Sequence, residues 1–236
     1  MKFVYIANIE NIDVMVALHV MQNLGYLDYF VCYPKPKTDL GKDRLKTLKR
    51  MGVKVKHNIS SRSKYIIAGT SLTLVSKFIK RGNHINTLVI TGGFVGSNIY
   101  PIKNENGDDC IFSKSCNFNL DVTATTSVLK SERYSIGEVI LIGKNVYNSE
   151  RNTPRDLWNT TSMHEIFDMY GVSDTKKQYG LLTVWDAIQL LLDGNTKCEY
   201  TRVHPQVDFI EGEVTKWGSM REYTGFRDVL AAVRIK

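Results

Sequence analysis

The residues best suited to chemistry are amides and carboxylates that follow two short apolar runs of this 236-residue chain. The first run, Lys2 to Ala7, is followed by Asn8, Glu10 and Asp13. The second, Leu88 to Ile90, ends at paired glycines and is followed by Asn98, Asn117, Asn119 and Asp121. Glycine permits a sharp turn at a strand end, and an asparagine amide offers both a donor and an acceptor to a hydroxyl group. The paired glycines and the polar residues after the second run predict a site for a hydroxyl-rich ligand at the end of a sheet.

The elements that must position these residues alternate between apolar runs and helical patterns. Strands are predicted at Lys2–Ala7, Tyr29–Cys32, Val53–Val55, Tyr65–Ala68, Leu88–Ile90 and Glu138–Ile142. Helices are predicted at Val14–Leu24, Asp39–Met51, Ser71–Lys80 (capped by Thr70 or Ser71), Asp121–Leu129, Ser162–Tyr170 and Leu182–Leu192. The alternation is typical of an α/β fold with a mostly parallel central sheet and helices on both faces. We expect one domain over residues 1–236, with C-terminal antiparallel strands that extend the sheet or cover its edge.

The composition fits a protein with one buried core. Hydrophobic residues make up 43% of the chain, and no run of about 18 apolar residues predicts a membrane span. The start, MKFVYIANIE, is too short and too soon polar for a secretory signal. The four cysteines (Cys32, Cys110, Cys116 and Cys198) have no zinc spacing. We therefore expect reduced thiols, a cytoplasmic location and no membrane partner.

The positive net charge comes from one segment. Lys35 to Lys64, called the basic segment below, contains eleven Lys or Arg against two acids; its charge of +9 leaves −2 for the rest of a chain whose total is +7. Such a segment can bind a nucleotide phosphate, a nucleic acid or an acidic partner. The alternative is a solvated helix whose lysines face water while Leu40, Leu45 and Leu48 face the core.

Several pieces of the chain, in their order, resemble the inosine-uridine preferring nucleoside hydrolase family. The pieces are Thr91-Gly92-Gly93, then Gly96-Ser97-Asn98-Ile99-Tyr100-Pro101, then Asn117-Phe118-Asn119-Leu120-Asp121. Residues 11 to 18, NIDVMVAL, look like the second half of the family's N-terminal Asp-x-Asp-x-Gly-x-Asp-Asp-x-x-x-Leu signature. Trp185-Asp186 stands where the family has a His-Asp pair that opens a helix. In pieces, the resemblance extends from Lys2 to Ile235.

The resemblance implies a divergent, shortened member that hydrolyses the N-glycosidic bond of a ribonucleoside or a related ribosyl compound. In the family, calcium holds the ribose hydroxyls and the attacking water, which a carboxylate deprotonates. Carried over, Asp13 and Glu10 are the catalytic carboxylates, and the calcium ligands are Asp13, Glu10, the Thr91 backbone and Asp186. The predicted substrate-binding residues are Asn98, Asn117, Asn119 and Trp185. We also expect a homo-oligomer.

The N-terminal half of this predicted site allows two alignments with the family signature. Without a gap, Ala7, Ile9 and Val14 replace aspartates and only Asp13 remains. With a turn one residue shorter, Asn8, Glu10 and Asp13 supply three oxygen-bearing groups for a hard cation. Trp185, in place of the family's histidine, can stack on a base but cannot donate an acid proton.

Three classes of function therefore remain open. The first is an N-glycosidase, whose substrate becomes a nucleotide if the basic segment binds a phosphate. The second is a hydrolase-like protein that has lost its metal and binds a nucleotide ligand or a macromolecular partner. The third is a nucleic-acid-binding module that uses the basic segment. Asp13 and Asp186 also have a simpler interpretation as helix caps, because a carboxylate is favoured at any helix start.

Overall fold

The computed structural model describes residues 1–92, 116–129, 135–142, 165 and 168–171, and the backbone of 200–203, 207–210, 213–217 and 232–235. The strands are β1 (Phe3–Ala7), β2 (Leu27–Cys32), β3 (Val55–Lys56), β4 (Tyr65–Gly69), β5 (Ile85–Thr91), β6 (Ile136–Ile142), β7 (Tyr200–Val203), β8 (Val207–Ile210), β9 (Glu213–Trp217) and β10 (Ala232–Ile235). The helices are α1 (Ile12–Asn23), α2 (Asp39–Arg50), α3 (Thr73–Lys80), α4 (Cys116–Asn119) and α5 (Val122–Leu129).

The first six strands form a parallel sheet in the order β3-β2-β1-β4-β5-β6, which confirms the predicted α/β fold. The chain winds from β1 outward to β3, then returns to place β4 on the other side of β1. The winding therefore reverses between β1 and β4, and open α/β sheets bind ligands outside the carboxyl ends of the strands at such a reversal. Next to β6, β10 runs antiparallel and pairs with β7 in parallel, while β8 and β9 form a separate antiparallel pair.

Two apolar layers cover the two faces of this sheet. On one face, α1 buries seven residues against β1, β2 and β4, and Leu48 of α2 joins the same cluster. On the other face, α3 and α5 bury Val75, Phe78 and Val128 against Val4, Ile66 and Leu88. The strands between them are buried on both sides, which explains why their sequences are continuous apolar runs.

The predicted boundaries differ from the observed ones by a few residues. The third strand was expected at Val53–Val55 and lies at Val55–Lys56. The reason is that the Val53 N–H donates to the Leu48 carbonyl, so this residue belongs to the turn that ends α2 at Gly52 (φ +81°). Glu165, Asp168 and Met169, from the helix predicted at Ser162–Tyr170, are helical. The predicted helix Leu182–Leu192 lies outside the described residues.

Two local predictions were wrong. Leu40 was expected to face the core, but it is 59% exposed. The helical period places Gly41 and Leu48 on the inner face, and Gly41 lies so close to Pro36 and Glu10 that a Cβ would be only 2.8 Å from Pro36 Cβ. The expected cap of α3 by Thr70 or Ser71 is also not formed, because Leu72 occupies the capping position without a side-chain bond.

Candidate functional site

A cavity of about 340 Å³ lies outside the carboxyl ends of β1, β2 and β4. Its lining residues follow these strands or belong to the α4–α5 turn: Asn8, Asn11, Tyr33, Pro34, Gly69, Thr70, Ser71, Thr73, Asn117, Leu120 and Asp121. The cavity therefore includes the β1/β4 reversal, where the parallel sheet leaves room between diverging connections. Small-molecule sites span about 300–1,000 Å³, so this volume suits a ligand smaller than a dinucleotide.

Asn8 and Asn11 bring amides to the cavity from the β1–α1 turn. Asn8 Oδ1 accepts a hydrogen bond from the Glu10 N–H (3.1 Å), which leaves its amide N–H groups available. Asn11 occupies the N-cap position of α1, but its side chain makes no capping bond. Asparagine at this position normally caps the helix with its side chain. Since Asn11 does not, its amide is available to a ligand in the cavity.

The opposite wall is a chain of hydroxyl groups that ends on a carboxylate. Ser71 Oγ lies 3.0 Å from Thr73 Oγ1, which donates to Asp121 Oδ2 (2.6 Å). Asp121 Oδ1 accepts from the Ala124 N–H (2.9 Å) and so caps α5. The Thr73 hydroxyl, followed by the Ala124 N–H, holds the pKa of Asp121 below its usual range. Asp121 therefore brings a negative charge to the cavity at neutral pH.

Asn117, a predicted substrate-binding residue, connects the α4–α5 turn to β5. Its Nδ2 donates to the backbone carbonyl of Thr91 (2.7 Å), which is the predicted carbonyl ligand of calcium. Asn117 lines the cavity, and its Oδ1 remains as a hydrogen-bond acceptor. Asn119, its neighbour in α4, is half-buried and does not belong to the lining residues of this cavity.

Glu10, a predicted catalytic and metal-binding residue, holds a neighbouring loop. Its Oε1 accepts from the backbone N–H groups of Lys37 (2.9 Å) and Thr38 (3.0 Å), just before α2. The Thr38 N–H, followed by that of Lys37, lowers the pKa of Glu10. In return, Arg44 of α2 donates to the carbonyls of Ile9 and Glu10. These bonds join the β1–α1 turn to the loop that carries Tyr33 and Pro34, so Glu10 fixes one wall of the cavity.

Asp13, the other predicted catalytic residue, is half-buried in the first turn of α1 and is not among the lining residues. Within the described part of the chain, no three His, Cys, Asp or Glu side chains cluster in a way that could hold a metal. Two of the four predicted calcium ligands, Glu10 and the Thr91 carbonyl, are engaged in the hydrogen bonds above. Calcium binding therefore remains a prediction.

Three predicted site residues, Asn98, Trp185 and Asp186, lie outside the described residues. Conversely, no binding role was predicted from the sequence for Asn11, Thr70, Ser71 or Thr73. A signal for them was present, because each polar group lies within a few residues of the carboxyl end of a predicted parallel strand. Only the strand order, however, shows that β1 and β4 are neighbours.

The basic segment divides between two ends of the sheet. Lys35 and Lys37 are exposed on the loop that follows β2, next to the cavity wall. Lys54 and Lys64 directly precede β3 and β4, at the opposite end. The expected burial of Leu48 is observed, and Leu45 is half-buried. The two exposed ion pairs Lys42–Asp39 and Lys46–Asp43 show that α2 also has the solvated face of the alternative interpretation.

Comparison with protein-family models found none that matches this chain, and comparison with curated proteins found no match either. Among the described residues, no helix is long and apolar enough to cross a bilayer. Cys32 and Cys116, the two described cysteines, are free thiols.

Proposed function

We propose that the cavity at the β1/β4 reversal binds a ribonucleoside or a related ribosyl compound through its ribose hydroxyls. The observation that supports this most directly is the group of available amides and hydroxyls at the reversal point. Asn8 offers N–H donors, Asn117 offers an oxygen acceptor, and Asn11 offers both. A ribose diol both donates and accepts hydrogen bonds, so such a mixture matches it.

The charge of the cavity favours a neutral ligand. Asp121 is the charged side chain among its lining residues, and no Lys, Arg or His lines it within the described part of the chain. An anionic group inside the cavity would therefore lie beside a carboxylate without a counter-ion. A nucleoside is expected to bind better than its phosphate, unless the phosphate extends outward to Lys35 or Lys37 on the adjacent loop.

The binding proposal can be tested with two matched substitutions on one helix. Asn11→Ala removes the available amide at the start of α1, while Asn23→Ala makes the same change at the exposed far end of this helix. A net hydrogen bond contributes about 0.5–1.5 kcal/mol, so Asn11→Ala should weaken binding about 2- to 10-fold. Asn23→Ala should leave the affinity unchanged.

The measurement is isothermal titration calorimetry with inosine, adenosine, uridine, inosine monophosphate and free ribose. Tighter binding of the monophosphate than of inosine would move the ligand class to nucleotides. Absence of binding to every compound at millimolar concentration, or an equal loss in both variants, would refute the proposal.

A second candidate function is hydrolysis of the N-glycosidic bond, and one observation favours it. Asp121 is an ionised carboxylate beside the available amides, where it could accept a proton from an attacking water. Both of its oxygens already accept one hydrogen bond, but each carboxylate oxygen has a further lone pair. We place Asp121 as the candidate base, alongside the carboxylates Glu10 and Asp13 that the sequence selected.

Release of free base from the same nucleosides, with and without calcium, tests hydrolysis. If Asp121 is the base, Asp121→Asn abolishes release, whereas Glu10→Gln lowers it only through the cavity wall. Activity that survives Asp121→Asn but is lost in Asp13→Asn would return the catalytic role to Asp13. A melting temperature that millimolar calcium does not raise would exclude a calcium site that is specific to the folded protein.

A further inference from the structure

Cations accumulate at the end of the sheet opposite the cavity. Three of them come just before parallel strands: Lys2 before β1, Lys54 before β3 and Lys64 before β4. Others end the helices on the two faces: Lys49 and Arg50 in α2, and Lys80 and Arg81 at the end of α3. In a parallel α/β sheet, helix C-termini and strand N-termini lie at the same end. With Arg62, these eight exposed residues form what we call the basic edge.

The basic edge has few acidic neighbours. Residues 44 to 104 contain twelve Lys or Arg and no Asp or Glu. Within the described residues, the ion pairs lie elsewhere, on the outer face of α2. Two exposed acids lie beside the edge. Asp28 is near the start of β2, and Asp168 is two residues before Tyr170, whose hydroxyl contacts Met51 at the end of α2. The half-buried Glu138 near the start of β6 is a third acid at this end, so among the described residues eight cations against three acids leave an excess of five positive charges.

Helix electrostatics explains only half of this arrangement. A cation is favoured at a helix C-terminus whatever the function, and this accounts for Lys49, Arg50, Lys80 and Arg81. The other four cations lie outside the last turn of these helices, where the effect of the helix dipole has largely fallen off. Lys64 also donates to the His84 carbonyl (3.3 Å) at the start of β5, which places cationic charge between the two strand starts. The excess therefore requires another explanation, and binding of a polyanion provides one.

We propose that the basic edge binds the phosphate backbone of double-stranded nucleic acid, independently of sequence. Five neighbouring strands, β3 to β5 in the sheet order, span about 19 Å at about 4.8 Å per strand. This width corresponds to about six phosphates of one duplex strand. Small polar groups next to the cations, such as Asn58 and Ser61, are exposed and suited to phosphate contacts.

A duplex fits this surface better than a single strand or a membrane. Single-stranded nucleic acids are held largely by stacking on aromatic side chains, and no Phe, Tyr or Trp is exposed among the residues of 1–92, 116–129, 135–142 and 168–171 whose side chains are described. Stable membrane binding adds apolar insertion to basic charge. Met1 and Leu24 are exposed near the start of β1, but the cations before β3 and before β5 lie two strands away from β1 in the sheet order.

The experiment compares two triple variants of the full chain with equal charge changes. The edge variant is Lys49→Gln, Lys54→Gln and Arg62→Gln. The control variant is Lys35→Gln, Lys42→Gln and Lys46→Gln, which removes three cations of the same basic segment outside the edge. Thermal melting of both variants verifies that they are folded. The probe is a labelled DNA duplex of about two helical turns, followed by fluorescence anisotropy from about 50 to about 200 mM salt.

We expect the wild-type protein and the control variant to bind with similar affinity and similar salt dependence. The edge variant should lose at least about tenfold in affinity, and its slope of log affinity against log salt should fall by up to about 2.7, since each phosphate contact contributes about 0.9. Equal losses in both variants would reduce the effect to net charge and overturn the proposal. Binding to phosphatidylserine–phosphatidylcholine vesicles with no binding to DNA would overturn it in favour of a membrane. The proposal does not depend on the cavity ligand.

Discussion

Substitution of Tyr29 by phenylalanine should destabilise the protein, because the Tyr29 hydroxyl organises the turn before β4. The hydroxyl accepts from the Ser60 N–H (2.7 Å) and lies 2.6 Å from Ser63 Oγ. Tyr29 is 1% exposed and Ser63 is 6% exposed, so water cannot replace the lost partner easily. The contact of the Lys56 ammonium with the Tyr29 ring (3.9 Å) would remain in the variant. The substitution therefore removes two hydrogen bonds and little else.

Two such bonds at about 0.5–1.5 kcal/mol each predict a loss of about 2 kcal/mol in the free energy of unfolding. For a chain of this size, the melting temperature should fall by about 4–8 °C. Urea denaturation gives the free energy directly, provided that the slope of the transition is unchanged.

Tyr65→Phe is the matched control, because its hydroxyl accepts only a long, exposed bond from Asn86 Nδ2 (3.5 Å). This change should cost less than about 0.5 kcal/mol. A loss in Tyr29→Phe that is no larger than the loss in Tyr65→Phe would show that the Ser60–Ser63 turn does not depend on the buried hydroxyl.

Three further predictions concern the walls of the cavity. Gly69→Ala should destabilise by about 1–3 kcal/mol in urea denaturation, because its Cβ would lie 3.0 Å from Cε2 of the fully buried Tyr5 ring; an increase in stability would contradict this. The lowered pKa of Asp121 stabilises the folded state above the ordinary aspartate pKa of about 3.9, and this contribution is lost as the pH falls through the folded value. Asp121→Asn should therefore flatten the acid side of the stability profile, and an unchanged profile would show that Asp121 contributes nothing. Glu10→Ala should accelerate hydrogen exchange at the Lys37 and Thr38 amides, while Glu10→Gln, which keeps one acceptor, should have a smaller effect. Exchange rates in both variants that equal those of the wild-type protein would exclude the proposed role of Glu10 in holding the loop.

Much of the fold was predictable because the local signals agree with one another. Continuous apolar runs indicated buried parallel strands, and each described helix between β1 and β5 was expected close to its observed position. The errors arose where a tertiary neighbour decides the outcome. Leu40 is exposed because the close approach of Gly41 to Pro36 and Glu10 sets the rotation of α2.

The candidate site was only partly predictable. Asn8, Asn117 and Asp121 were recognised from the sequence, and all three line the cavity. Glu10 was selected for its carboxylate, but that group accepts two backbone hydrogen bonds from the loop before α2. No sequence pattern predicts this contact, because its partners are 27 and 28 residues away along the chain.

Residue order along the chain is enough to specify the class of fold, the polar character of the strand ends and the unequal distribution of charge. Each of these depends on residue type and on spacing along a strand or helix, which the chain carries locally. Which strand ends become neighbours depends on the tertiary structure. Because β4 is placed beside β1, the hydroxyls after β4 complete the cavity with the amides after β1. The same parallel arrangement collects the cations at the opposite end, because the starts of β1 to β5 lie there together with the ends of α1, α2 and α3.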